Sequence, residues 1–201
     1  MEWKDIKPLT EKEARMTVKS YFINHGFEVR EVDPNKLSVG DKSPDFIVTK
    51  DGNDIFYCEI KTPENKINSK TNSYQWDTTF YKLRKFLHKA RKQFASFDSK
   101  HDLPWVVAFT SNHPQLNWTS FVHNIQGAVA YNGNVIKDFR SKKFIIESDK
   151  DVVSLDMIIW FQVNYLDRKT AFEVKFFVNT DLPLFTKTNE ISGLLKPIKT
   201  I

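Results

Sequence analysis

The chain has 201 residues, 40% of them hydrophobic and 17 of them Phe, enough for one domain with a real core and too much for a disordered tail. Thirty Lys and Arg against 25 Asp and Glu leave a net charge of +5, which permits a polyanionic partner without requiring one. A single cysteine excludes an internal disulfide framework and any cysteine-based zinc site. The charged start Met1-Glu2-Trp3-Lys4-Asp5 lacks signal-peptide character, and no stretch has the length of a membrane span. The expectation is a soluble, intracellular, cytoplasmic protein with no membrane partner.

Leu9-Thr10-Glu11-Lys12-Glu13-Ala14 announces a helix: Thr10 is the N-cap, Glu13 completes a capping box, and Leu9 can staple onto Ala14. Ala14, Val18, Tyr21 and Phe22 form its apolar stripe and Gly26 ends it. At about 100° per residue Glu11 falls inside that stripe and Glu13 well off it. Capping therefore explains Glu13 and leaves Glu11 as an acid on the face that meets a sheet. Phe27–Val32 reads as a strand closed by Asp33-Pro34-Asn35.

A polar connection leads to the densest stretch, residues 43 to 64. Phe46–Lys50 and Ile55–Thr62 are β-rich and flank Asp51-Gly52-Asn53-Asp54, the pattern of a hairpin. Pro44 favours an extended Ser43 and delivers Asp45 to the mouth of the first strand. In the second strand Glu59 and Lys61 share a face, about 6.5 Å apart, while Cys58 and Ile60 face the other way. A carboxylate at a strand start, facing a carboxylate and an ammonium on its partner, is expensive to bury without a purpose.

Residues 62 to 79 form a long Asn/Ser/Thr/Lys-rich connection in which Lys66, Lys70, Tyr74 and Trp76 suit phosphates and bases; a plain linker is an equal reading. Phe80–Phe97 is the strongest helix, with Phe80, Leu83, Phe86, Leu87, Ala90, Phe94 and Phe97 on one stripe. The opposite arc carries Lys82, Arg84, Lys85, Lys89, Arg91 and Lys92, with His88 among them and no acid on the helix. Solvated faces usually mix signs, so phosphate contact is the preferred explanation. Trp105–Thr110 reads as a buried strand and Trp118–Ile125 as a short helix. Beyond 127 the chain turns β-rich: a hairpin over 128–136 around Asn132-Gly133, then Met157–Tyr165 and Ala171–Asn179 as a second pair.

Other chemistries find little support. The five histidines lack metal-ligand spacing, no phosphate-binding glycine loop is present, and a hairpin turn explains Asp51–Asp54 better than a calcium loop does.

Pro44-Asp45, the hairpin, and Glu59-Ile60-Lys61 resemble the PD-(D/E)XK motif of the restriction-endonuclease-like nuclease superfamily. The resemblance covers about residues 8 to 110 and no subfamily is identified. It implies an α/β fold with an αβββαβ core and a mixed, mostly antiparallel sheet flanked by helices. The expected layout is a single domain, 1–126 being the nuclease core and 127–201 a β-rich extension. The implied activity is Mg²⁺-dependent hydrolysis of DNA phosphodiester bonds, endonucleolytic rather than exonucleolytic, with Mn²⁺ substituting. Asp45, Glu59 and, by family analogy, the Ile60 carbonyl would bind the metal. Lys61 would orient or deprotonate the attacking water, Glu11 would hold a second metal or its water shell, and Gln93, preferred over Gln75, would position the nucleophile or a phosphate. Lys82, Lys85, Lys89 and Lys92 on the helix, with Lys66 and Lys70 in the loop, would bind DNA phosphates. Two alternatives stay open: a nucleic-acid-binding module without catalysis, and an interaction protein working through its C-terminal half. That half can extend the sheet, pair two subunits as a homodimer, or hold substrate. Taken alone, Glu59 and Lys61 would be an exposed, weak ion pair.

Overall fold

The computed structural model describes residues 6–33, 42–63, 67–68, 73–74, 76–126 and 150–195, with backbone only at 67–68, 73–74, 76–81 and 123–126. The elements in chain order are α1 (Glu11–Asn24), β1 (Glu28–Glu31), β2 (Phe46–Lys50), β3 (Asn53–Lys61), β4 (Ile67–Asn68), β5 (Ser73–Tyr74), α2 (Trp76–Phe97), β6 (Trp105–Ser111), α3 (Trp118–Gln126), β7 (Met157–Val163), β8 (Ala171–Val178) and α4 (Phe185–Leu195). The hairpin over 128–136 lies outside the described residues. Among these residues no helix is long and apolar enough to cross a membrane.

One six-stranded sheet, ordered β1-β2-β3-β6-β7-β8, organises the molecule as an α/β fold. It is mixed: β1–β2, β2–β3 and β7–β8 are antiparallel, whereas β3–β6 and β6–β7 are parallel. A parallel β3–β6 pair needs a crossover, and α2 lies within that connection. The β2–β3 turn is tight because Asp51 and Gly52 both take positive φ, 51° and 79°, the backbone that a two-residue primed turn demands.

The two faces of the sheet support separate cores. Val18 and Phe22 of α1, with Ile191 and Leu195 of α4, cover Phe46, Phe56, Cys58, Val106, Ala108, Ile159 and Phe161 on one face. Leu83, Leu87 and Phe94 of α2, with Phe121 of α3, cover Val107, Phe109, Ile158 and Trp160 on the other. Every residue of β6 and β7 is buried, as expected of strands roofed on both sides.

The C-terminal strand pair continues the same sheet, since β7 lies parallel beside β6. On β8, Val174, Phe176 and Val178 pack against the α1-side core, but Phe172 is 67% exposed and does not share their stripe. The long connection after Lys61 holds more structure than its composition suggests: β4 pairs with β5, and α2 begins at Trp76 rather than Phe80. α4 has no counterpart in the sequence expectations. Its buried positions, Thr188, Ile191, Ser192 and Leu195, include two hydroxyl side chains that blunt the apolar period.

Candidate active site

α1 is fixed by its N-terminus. The Thr10 hydroxyl accepts from the Glu13 N–H at 3.2 Å, and Glu13 accepts from the Thr10 N–H at 2.7 Å, so both arms of the capping box are made. Arg168, at the β7–β8 turn, adds a two-toothed ion pair to Glu13 at 2.8 and 2.7 Å. Its guanidinium also donates to the Lys7 and Pro8 carbonyls. The Arg168 bonds, then the cap, hold the Glu13 carboxyl down at about 2. Glu13 is thus a structural acid.

With α1 set in this phase, its apolar side meets the sheet and Arg15 reaches Asp45. The register pairs Phe46 with Cys58, and one step further sets Asp45 across from Glu59. Asp45 lies just before β2, where the Ile60 N–H would otherwise lack a partner on that side, and accepts it at 2.7 Å. The carbonyl of a strand residue faces the same neighbour as its N–H, so the Ile60 carbonyl is turned to the Asp45 side as well. The second Asp45 oxygen takes the Arg15 guanidinium, whose other nitrogen reaches Glu31 at 3.2 Å.

Glu59 lies on the opposite face of β3 from Cys58 and Ile60, under α2. It is 3% exposed, so it is not the surface ion pair that Glu59 and Lys61 taken alone would suggest. Lys61 is ion-paired to one Glu59 oxygen and donates to Gln93 Oε1 at 3.2 Å. Gln93 in turn donates to the Ser43 carbonyl at 3.3 Å, linking α2, β3 and the entry to β2. The other oxygen of Glu59 is buried and makes no hydrogen bond among the described residues. Burial pushes the Glu59 carboxyl up to about 7, Asp45 adds to the rise, and the Lys61 charge opposes it.

The structure therefore brings Asp45, Glu59, Ile60, Lys61 and Gln93 together. The α1 side chain that engages Asp45 is Arg15, which sequence reasoning did not single out. Its signal was present: Arg15 lies one turn beyond Glu11 and one turn before Val18, a cation on the sheet-facing side. Glu11 is exposed and lines a groove of about 550 Å³ with Lys12, Arg15, Met16, Lys19, Glu31 and Phe46.

On α2, Lys85, Lys89 and Lys92 are exposed, and Lys82 is half-buried. The basic arc is not unopposed. Buried Asp151, from outside the helix, accepts from Arg91 Nε at 2.8 Å and lies 3.2 Å from His88 Nδ1. Lys66, Lys70 and Gln75 lie outside the described residues.

A hard divalent cation fits the donor set in one respect: a buried Glu59 oxygen makes no hydrogen bond among the described residues, at the strand end that also holds the Asp45 carboxylate. Against a closed cage, no group of three or more His, Cys, Asp or Glu converges among the described residues. Two carboxylates and a carbonyl suit an open site completed by water rather than a cage. No protein-family model, curated protein or solved structure matches the chain.

Proposed function

We propose that the protein is a metal-dependent nuclease that hydrolyses DNA phosphodiester bonds through Asp45, Glu59 and Lys61 on a restriction-endonuclease-like core. The single observation that carries this is the buried Glu59 carboxylate, one oxygen on Lys61 and the other without a hydrogen bond among the described residues, at the strand end where Asp45 takes the Ile60 N–H. A carboxylate kept dry and half-satisfied is costly; buried Asp156 also has such an oxygen, and what sets Glu59 apart is the Lys61 ammonium and the second carboxylate, Asp45, at the same strand end. The strand order supports the fold assignment: an antiparallel β1–β2–β3 unit, then α2, then β6 parallel to β3.

Asp45, Glu59 and the Ile60 carbonyl would hold Mg²⁺, or Mn²⁺ in its place. The bound ion supplies charge neutralisation at the phosphate and a water of lowered pKa. Lys61, held between Glu59 and Gln93, orients the attacking water and stabilises negative charge as it develops. Gln93 fixes the Lys61 ammonium and positions a phosphate or the nucleophile. Glu11, at the rim of the groove beside Arg15, orders outer water. Lys85, Lys89 and Lys92 contact backbone phosphates, giving affinity without sequence choice.

Purified protein incubated with duplex, branched and single-stranded DNA, in Mg²⁺, Mn²⁺ or EDTA, tests this. Cleavage should require the cation and vanish in Glu59→Ala; activity that survives this substitution removes the motif as its source. One observation favours a second reading, a DNA-binding module without catalysis: each carboxylate already has its own cation, Arg15 or Lys61. DNA binding with neither cleavage nor divalent-cation uptake would select it.

A further inference from the structure

Asp45, which takes the Ile60 N–H, and Glu59 are neighbours at the end of β3, yet together with their partners they carry no net negative charge, because Arg15 neutralises the first and Lys61 the second. The two cations differ in their freedom. Lys61 has its second contact inside the site, on Gln93. Arg15 has its second contact outside, on Glu31 of edge strand β1, whose side chain is 55% exposed and also receives Lys19 at 3.4 Å. The guanidinium lies over the Phe46 ring, 4.8 Å from its centroid, and lines the groove toward Glu31. It therefore spans two carboxylates and can leave one without being stranded in a dry place.

A divalent cation on Asp45 would meet that guanidinium at contact distance. The repulsion acts on a half-exposed group with an alternative partner already bound, so the low-energy response is for Arg15 to let go of Asp45 and keep Glu31. Resting on the proposed metal site, the geometry points to Arg15 as a positioning residue that holds Asp45 in the cation-free protein and hands over to Glu31 when a divalent cation enters. Glu31, remote from the chemistry, then helps set the cation concentration at which the site fills.

Mn²⁺ binding to the full chain, followed by the loss of the free-ion paramagnetic resonance signal, tests this without any turnover. Arg15→Gln should tighten Mn²⁺ binding by about tenfold, the lower end of what one unit charge beside a dication is worth at a half-exposed site. Glu31→Gln should weaken it by about 2–5-fold, the range of an exposed ion pair. The decisive measurement is the double variant. Handover requires that Glu31→Gln have no effect once Arg15 is gone, whereas a simple field effect of Glu31 would add unchanged. Additive effects, or an Arg15→Gln variant that binds Mn²⁺ no tighter than wild type, overturn the proposal. Melting in EDTA identifies folded variants. If Arg15→Gln does not fold, Arg15→Met replaces it in the cycle, and with no cation left to hand over the Glu31→Gln effect should again vanish. Asp45→Asn separates the two levels of failure. Binding lost in Asp45→Asn but untouched in the Arg15 variants sinks the handover alone. Wild-type binding that is absent, or that survives Asp45→Asn, sinks the metal site and the handover together.

Discussion

Two ends of the central sheet bury carboxylates, and they are served by different kinds of donor. Near the start of β6, one oxygen of the fully buried Asp156 accepts from the Trp105 N–H at 2.8 Å and from His101 Nε2 at 2.5 Å, while the other, like one of Glu59, makes no hydrogen bond among the described residues. Beside it Asp98 accepts from the Asp102 and Leu103 N–H groups and from the Trp105 indole. Those donors are mostly backbone or ring groups that packing holds still, including a His101 ring stacked on Trp105 at 4.0 Å. At the end of β3, Arg15 pairs with Asp45 and Lys61 with Glu59, long side chains with several rotatable bonds, and one fixed donor, the Ile60 N–H, holds the other Asp45 oxygen. Rigid donors make a carboxylate a rivet. Flexible cations leave it neutralised but available, because a competing cation can displace a side chain without unfolding a turn.

The comparison breaks most visibly at Asp156. Asp156→Ala strands the Trp105 N–H and the His101 ring in a dry place, and should cost about 3–5 kcal/mol of stability in urea unfolding. A loss under about 1 kcal/mol would mean that this end is no more structural than the other. At the proposed active-site end the expected signature is reversed. Asp45→Asn, Glu59→Gln and Lys61→Met should each reduce cleavage by about a hundredfold or more while the protein still melts cooperatively. Because Arg15 and Lys61 neutralise the pair, removing either acid is not expected to relieve a like-charge repulsion, as two bare carboxylates would suggest.

Glu59 sharpens the contrast through pH. Its carboxyl is raised from an ordinary value near 4.5 to about 7 by burial, so the folded protein binds more protons than the unfolded chain between those values. Its contribution is full below about pH 4.5 and is lost as pH rises toward 7. In EDTA the urea midpoint should therefore fall across that window, by no more than a few kcal/mol of stability, and Glu59→Gln should remove this dependence. A midpoint that rose through the same window by the same amount in both proteins would place the titration elsewhere.

Glu13 and Glu11 extend the comparison to α1. Glu13→Gln loses the charged arm of a capping box and the Arg168 pair, at about 2 kcal/mol or less. With its carboxyl held near 2, that stability is present above about pH 4.5 and disappears as the solution is acidified toward 2. Glu11→Gln should leave the melting temperature unchanged and lower turnover less than Glu59→Gln does. The smallest effect per residue belongs to the exposed lysines. Replacing Lys85, Lys89 and Lys92 by Glu should flatten the dependence of DNA affinity on salt, by up to about three in the logarithmic slope. An unchanged slope would leave the arc as solvated surface.

What could be read along the chain was what short stretches of chain decide. Thr10 and Glu13 sit three apart and make their cap, Asp51-Gly52 closes its hairpin, and Val106–Ala108 is apolar on both faces and becomes a buried strand. The side chains of Glu59 and Lys61 share a face because the pleat repeats every two residues. Pairings across long chain separations were not legible, since neither propensity nor period specifies which distant charge will arrive. Arg15 meets Asp45 across 30 residues and Arg168 meets Glu13 across 155, while Gln93, which meets Lys61 across 32, was placed at the site only through the resemblance. Burial decides the rest. An Asp in a strand mouth and a Glu on a strand face read alike in sequence, and only the roof of α2 over β3 keeps one Glu59 oxygen dry and drives its carboxyl upward.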